Sequence, residues 1–246
     1  MRGVVLVTAG NRLPPLTAEI PLALVPILDR PVAAYAMDLL RRHGAELIAF
    51  LAEGEAEGPV REWLADDLPV LTSAGQLGDL PGEGPIVLLR GDVLTDLDVA
   101  ELVARAGDVE VVDLTQGPPD AAEPGFAWHE LDSVDALRRA TFALVAGDVD
   151  LDIEGTELEA GLFVGEGTTL DGIALIEPPV WIGAEVEIGM NARLEGPLVI
   201  GDRAAIGDGA HLRDAVIFPG STIPRETVLA GGVAGHAAIV ESLRRR

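Results

Sequence analysis

Residues 180–208 read VWIGAEVEIGMNARLEGPLVIGDRAAIGD. Within them Ile182, Ile188, Leu194, Ile200 and Ile206 recur at every sixth position, and glycine follows the aliphatic at 183, 189, 201 and 207. The same spacing reaches back through Ile176 and Leu170 to Val164, with Gly165 after it, and forward to Leu212. At a one-in-three aliphatic background so long a column arises about once in 20,000 windows, so a structural period explains it better than chance. Four places after each aliphatic come Thr168, Ala174, Val180, Val186, Ala192, Leu198, Ala204, Ala210 and Val216, mostly small or β-branched. The period implies a three-sided coil: each six-residue unit makes one flat face, the aliphatic points inward, and glycine allows the corner. After Leu212 the register slips by one residue and resumes at Ile217, Ile223 and Leu229, with Pro219-Gly220 and Gly231-Gly232 as corners. A sandwich of short alternating strands has period two and does not fix a six-residue glycine rhythm.

Composition bounds the rest. A chain of 246 residues suits one or two modest cores, and two are expected. Its formal net charge of -24 repels phosphate backbones and anionic lipid, which argues against nucleic acid as a partner. All 17 cationic side chains are arginine, because the chain contains no lysine. Hydrophobic residues make up 48%, so the acidity belongs to a solvated surface over real cores. The absence of cysteine excludes a disulfide framework and thiolate metal sites and fits a cytoplasmic protein. The apolar run after Met1 is ended by Asn11 and Arg12, too early for a signal peptide, and no stretch approaches a membrane span.

Ahead of the repeats, strand-like and helix-like segments alternate, which predicts a parallel sheet with covering helices. Gly3 to Thr8 reads as a first strand, and Pro31 opens a helix with Val32, Tyr35, Ala36, Leu39 and Leu40 on one face and Gly44 as its stop. Strands are expected over 46–52, 69–72, 86–89 and 109–114, and helices over 60–65, 97–106 and 134–146. The fold class is thus α/β plus β. The expected division is 1–147, 155–235 for the coils, and 236–246 as a C-terminal helix that caps them and ends in Arg244-Arg245-Arg246.

The repeat region resembles the hexapeptide-repeat, left-handed parallel β-helix family, whose members use the prism for acyl transfer, subunit association or spacing. The opening Val4-Val5-Leu6-Val7-Thr8-Ala9-Gly10-Asn11-Arg12-Leu13-Pro14-Pro15-Leu16-Thr17, with Pro21-Leu22-Ala23-Leu24-Val25-Pro26-Ile27 and Arg30-Pro31, resembles the sugar-phosphate nucleotidyltransferases of the mannose-1-phosphate guanylyltransferase and glucose-1-phosphate types. Many members of that family append a hexapeptide β-helix. The resemblance implies a Rossmann-like domain in which Gly10, Asn11 and Arg12 cradle nucleotide phosphates. It also implies that Asp92, in Gly91-Asp92-Val93-Leu94-Thr95-Asp96, and Glu130, in Trp128-His129-Glu130, hold magnesium. Departures are as informative. The loop before Arg12 is about two residues short, the family's lysine falls at Leu22, and only 96–125 separate the two metal motifs where relatives place a sugar-binding half. The domain is therefore a shortened one.

Each candidate residue has a second reading. Asp92 and Glu130 suit a hard cation, yet Asp92 equally caps a turn and Glu130 is one carboxylate among many. Gly10-Asn11-Arg12 is either a weak nucleotide site or only a strand-to-helix turn. His211 and His236 stand where acyltransferase relatives carry a general base, or are corner histidines facing solvent. Three functions are expected in order: an impaired nucleotidyltransferase-like protein of sugar-nucleotide metabolism serving assembly or regulation; an active magnesium-dependent sugar-1-phosphate nucleotidyltransferase; and a β-helix acyltransferase. All three imply an oligomer, of like subunits or with an active relative, and a nucleotide or sugar phosphate is the expected small molecule.

Overall fold

The computed structural model describes residues 1–9, 13, 20–65, 67–118, 125–151, 153, 155–170, 174–235 and 239–241. The architecture is mixed α/β with mostly parallel sheets. It divides into two compact units, one carried by the chain up to Leu131 and the other by Asp132 onward together with Pro26–Asp29.

The first unit is built on five parallel strands, Arg2–Val7, Leu47–Ala52, Val70–Leu71, Ile86–Arg90 and Val111–Leu114. Their spatial order is third, second, first, fourth, fifth. Near-continuous apolar runs such as LIAFLA and IVLL are what a parallel sheet covered on both faces requires. One face buries Val4, Ala49, Leu51, Leu71, Ile86 and Leu88. Against the other lies the helix Val32–Arg42, whose Leu40 packs so near Gly3 that a Cβ there would stand 3.0 Å from its Cδ1. Phe50 meets Trp63 of the helix Glu57–Leu64 edge-on, centroids 5.4 Å apart. Asp98 caps the helix Val99–Ala106 by accepting from Glu101 N at 2.8 Å.

The second unit stacks short strands in parallel, each paired with the strand 18 residues further on. Leu162 lies against Val180 and Val180 against Leu198; Leu175 lies against Arg193 and Arg193 against His211; Leu170 lies against Ile188 and Ile188 against Ile206. Three six-residue units thus complete one coil. Ile182, Ile188, Leu194, Ile200, Ile206, Leu212, Ile217, Ile223 and Leu229 fill one interior cluster, with Val164 and Ile176 packed against it. The slip after Leu212 is where the spacing drops to 17: Leu198 pairs with Ala215 and Ile206 with Ile223. Asp214 takes up the missing residue at φ 51°, and Arg138 grips it, donating to its carbonyl at 2.9 Å and meeting its carboxylate at 2.8 Å. In consequence Ala215, not Val216, is the interior residue there.

The glycines act otherwise than expected. Gly183, Gly189, Gly201 and Gly207 do not have positive φ; the left-handed residues come two places later, at Glu185, Asn191, Arg203 and Gly209. What the glycines supply is room, since a Cβ on Gly201 would stand 2.5 Å from Pro219 N and one on Gly189 2.6 Å from Asp208 N. Aspartates then tie neighbouring coils: Asp202 accepts from Ala184 N at 2.6 Å and Asp208 from Met190 N at 3.0 Å.

Two boundaries also move. The helix Val134–Ala146, capped by Ser133 and closed by Gly147 at φ 77°, belongs to the second unit, not to a domain ending at 147. It lies against the coil strands Arg193–Ile200, His211–Ile217 and Val228–Ala234. Outward-facing Val199, Val216 and Val233 on those strands are buried accordingly. The expected C-terminal helix over 236–246 is, at Ile239–Glu241, a strand antiparallel to Val228–Ala234; the rest of that segment lies outside the described residues. An open strand edge offers backbone partners that a short helix with β-branched Ile239 and Val240 cannot match. At the other edge of that sheet Thr156–Glu159 runs antiparallel to Leu162–Val164, so both edges are closed by a reversed strand.

Candidate functional site

In a parallel sheet ligands favour the carboxyl ends of the strands where the order reverses. Here that place lies between the first and fourth strands, whose ends pair at Leu6 and Arg90, with Gly91 N donating to Leu6 O at 2.8 Å. Gly91 is closely packed: a Cβ there would stand 3.0 Å from Ala23 Cβ and from Val5 Cγ1, and 3.2 Å from Leu6 O, so its neighbours would have to give way. Just past it Val93–Thr95 pairs antiparallel with Trp128–Glu130, Val93 against Glu130. Thr95 Oγ1 donates to Ala127 O at 2.6 Å, and Ala127 N donates to Asp96 Oδ1 at 2.6 Å, which pins the incoming strand. The two expected metal ligands, Asp92 and Glu130, are therefore brought to one spot although they lie far apart in the chain.

Between them stands a cation that sequence reasoning missed. Arg90 grips Asp92 with both ends of its fork, Nε to Oδ1 at 2.8 Å and one terminal nitrogen to Oδ2 at 3.0 Å. Its other terminal nitrogen donates to Glu130 Oε2 at 3.1 Å, and Trp128 Nε1 donates to Glu130 Oε1 at 3.3 Å. All four carboxylate oxygens thus already accept a hydrogen bond from the protein. Asp92 is 5% exposed, and a carboxylate so buried is tolerated only when paired. The hydrogen bonds Arg90 donates to Asp92, then the charges of Asp92 and Glu130, raise the guanidinium's pKa against the opposing effect of burial. Arg90 is in this way a permanent positive charge between the carboxylates, and as arranged they do not fit a divalent ion as well. The available sequence signal was the charge closing an otherwise apolar strand, two residues before the aspartate.

Leu22 explains itself: it is 1% exposed in the short helix Leu22–Leu24, a core position where an ammonium would lose its hydration without recompense. Gly10, Asn11 and Arg12 lie outside the described residues, as does His236. His211 is on an outward coil face with Nε2 2.9 Å from Glu195 Oε1, close enough for an ion pair though not aligned as a hydrogen bond. Among the described residues no three histidine, aspartate or glutamate side chains converge as a metal centre, and no helix is long and apolar enough to cross a membrane. No model of a known protein family matches the chain.

Proposed function

We propose that the chain is a nucleotidyltransferase-like protein of sugar-nucleotide metabolism whose catalytic centre is impaired and which serves as an assembly or regulatory subunit. The observation that carries this reading is the meeting of Asp92 and Glu130 at the reversal of a parallel sheet, in the positions the family resemblance implies, with Arg90 locked between them. The first half of that observation supports descent from a nucleotide-handling site, and the second supports its silence. Leu22 in the core points the same way, since a phosphate needs a cation near it and this chain has no lysine to offer.

The first unit is then a shortened Rossmann-like domain, and the stacked coils of the second are a left-handed parallel β-helix. The 18-residue pairing and the recurring interior aliphatics support that assignment. On this reading the prism holds subunits together, either copies of this chain or an active relative, and the protein works in the cytoplasm. Its remaining small-molecule traffic would be a nucleotide or sugar phosphate bound without turnover.

The experiment is incubation of the purified protein with nucleoside triphosphates, several sugar 1-phosphates and magnesium, with pyrophosphate measured. Release no faster than in the protein-free control is expected. Robust release that Asp92→Asn abolishes would replace this reading with an active enzyme. Light scattering of the same preparation tests the assembly half, for which a strictly monomeric mass would be fatal.

A further inference from the structure

We infer that Arg90 is the resident cation of this centre and bars a divalent ion from it, so that the carboxylate pair is a latent metal site opened by removing one side chain. The inference rests on the nucleotidyltransferase-like reading only in taking Asp92 and Glu130 as the metal pair; its physical content is the ion-pair geometry.

Three features carry it. First, the guanidinium satisfies the pair as a metal would, by neutralising it from a point between the two groups, using three charge-assisted hydrogen bonds of 2.8, 3.0 and 3.1 Å. Second, the fork holds Asp92 by both oxygens, so an ion reaching that carboxylate must break a bidentate contact in a nearly buried setting. Breaking it would leave a guanidinium that is itself only 18% exposed without its partner, beside an added positive ion. Third, Arg90 is placed by the backbone and not by chance of rotamer. It is the last residue of a sheet strand, in register with Leu6, so its Cα cannot retreat when an ion arrives. Like charges at this separation repel whichever ion is offered, so exclusion extends to magnesium, manganese and calcium alike. With Arg90 shortened or made apolar, what remains is two carboxylates, Asp92 in the turn before Val93–Thr95 and Glu130 at the end of the strand paired with it, the second backed by an indole N–H, which is the donor chemistry such ions choose.

The test uses manganese as the probe and the electron paramagnetic resonance of free Mn2+ as the readout, on the full chain. The unaltered protein and its Glu130→Gln variant are expected to take up manganese indistinguishably, through scattered surface carboxylates only. Arg90→Met should gain one site at least tenfold tighter than anything in the unaltered protein, and Arg90→Met combined with Glu130→Gln should lose it. A stoichiometric site in the unaltered protein that Glu130→Gln removes would overturn the inference, as would a folded Arg90→Met that gains nothing. Should circular dichroism show that Arg90→Met does not fold, the first comparison still decides, because Glu130 is a partly exposed side chain whose amide is readily accommodated. A native manganese site without pyrophosphate release would sink this inference alone, whereas release without such a site would sink only the proposed function.

Discussion

The two units of the chain place their information differently. In the coils an interior position such as Ile200 is one of many equivalents, backed by Ile182 on one side and Ile217 on the other, and the arrangement survives even the shortened spacing at Asp214. At the carboxyl end of the parallel sheet the opposite holds, for a single side chain, Arg90, joins two carboxylates far apart in the chain into one ion-pair network. Repetition makes a fold robust and easy to read; a site built from single residues is neither.

Breaking the coil rhythm should have the largest effect. Gly201→Val drives a branched side chain into Pro219, whose N and Cα would stand 2.5 and 2.9 Å from the new Cβ. The coil must then separate, so the loss should exceed the roughly 3 kcal/mol upper range of ordinary overpacking. Denaturant melts should show the coil transition shifted or abolished, and an unchanged midpoint would contradict the close-approach role given to that glycine. Ile200→Ala, which empties one interior position but leaves the coils in contact, should cost about 3 kcal/mol. A loss well under 1 kcal/mol would mean the interior is not packed as described.

Next comes a contrast within the second unit. Asp202 ties its coil by accepting from Ala184 N, but the residue in register on the following coil is Pro219, which has no carboxylate to do the same for Asp202. Asp29 supplies it, accepting from Asp202 N at 2.7 Å with Oδ1 while Oδ2 is buried without a hydrogen-bond partner. Burial first, then the neighbouring Asp202 carboxyl, pushes the Asp29 pKa from 3.8 up to about 8, with the Asp202 amide and Arg203 opposing. A folded pKa above the unfolded one means the native state holds a proton that the unfolded state releases. Stability from this group is therefore full below about pH 4, falls as pH rises toward 8, and is level beyond. Asp29→Asn should raise the melting temperature of the second unit, with a gain over the unaltered chain that widens between those limits. A pH-independent difference would remove the carboxyl pair from the account.

The smallest effect concerns the corners. Glu185 holds φ 55°, a conformation that costs an L-residue about 1 kcal/mol, so Glu185→Gly should stabilise by a few tenths up to that amount. A clear destabilisation would show that its side chain, not its backbone, matters at the corner.

What could be read in advance follows the same division. The interior aliphatics were legible because burial repeats with the period. The helix Val134–Ala146 was legible through the resemblance, but not its allegiance to the coils. That depends on Val199, Val216 and Val233 being apolar on the outer side, where a repeat predicts solvent. The glycines were found but given the wrong cause, since proximity to another coil is a three-dimensional fact that no local pattern contains. The strand at Ile239–Glu241 was hidden because its partner edge exists only once the coils are stacked. At the site, Asp92 and Glu130 were legible through the resemblance, whereas Arg90 was not, because its importance arises only when Val93–Thr95 pairs with Trp128–Glu130 and carries Glu130 to its other side.

Whether Arg90 keeps a divalent ion away from Asp92 and Glu130 can be seen in crystals grown with manganese chloride, through an anomalous difference map around the ends of the first and fourth strands. The density between Asp92 and Glu130 is expected to be the Arg90 guanidinium, with no anomalous peak. A peak at about 2.1 Å from both carboxylates, with Arg90 swung aside, would contradict it.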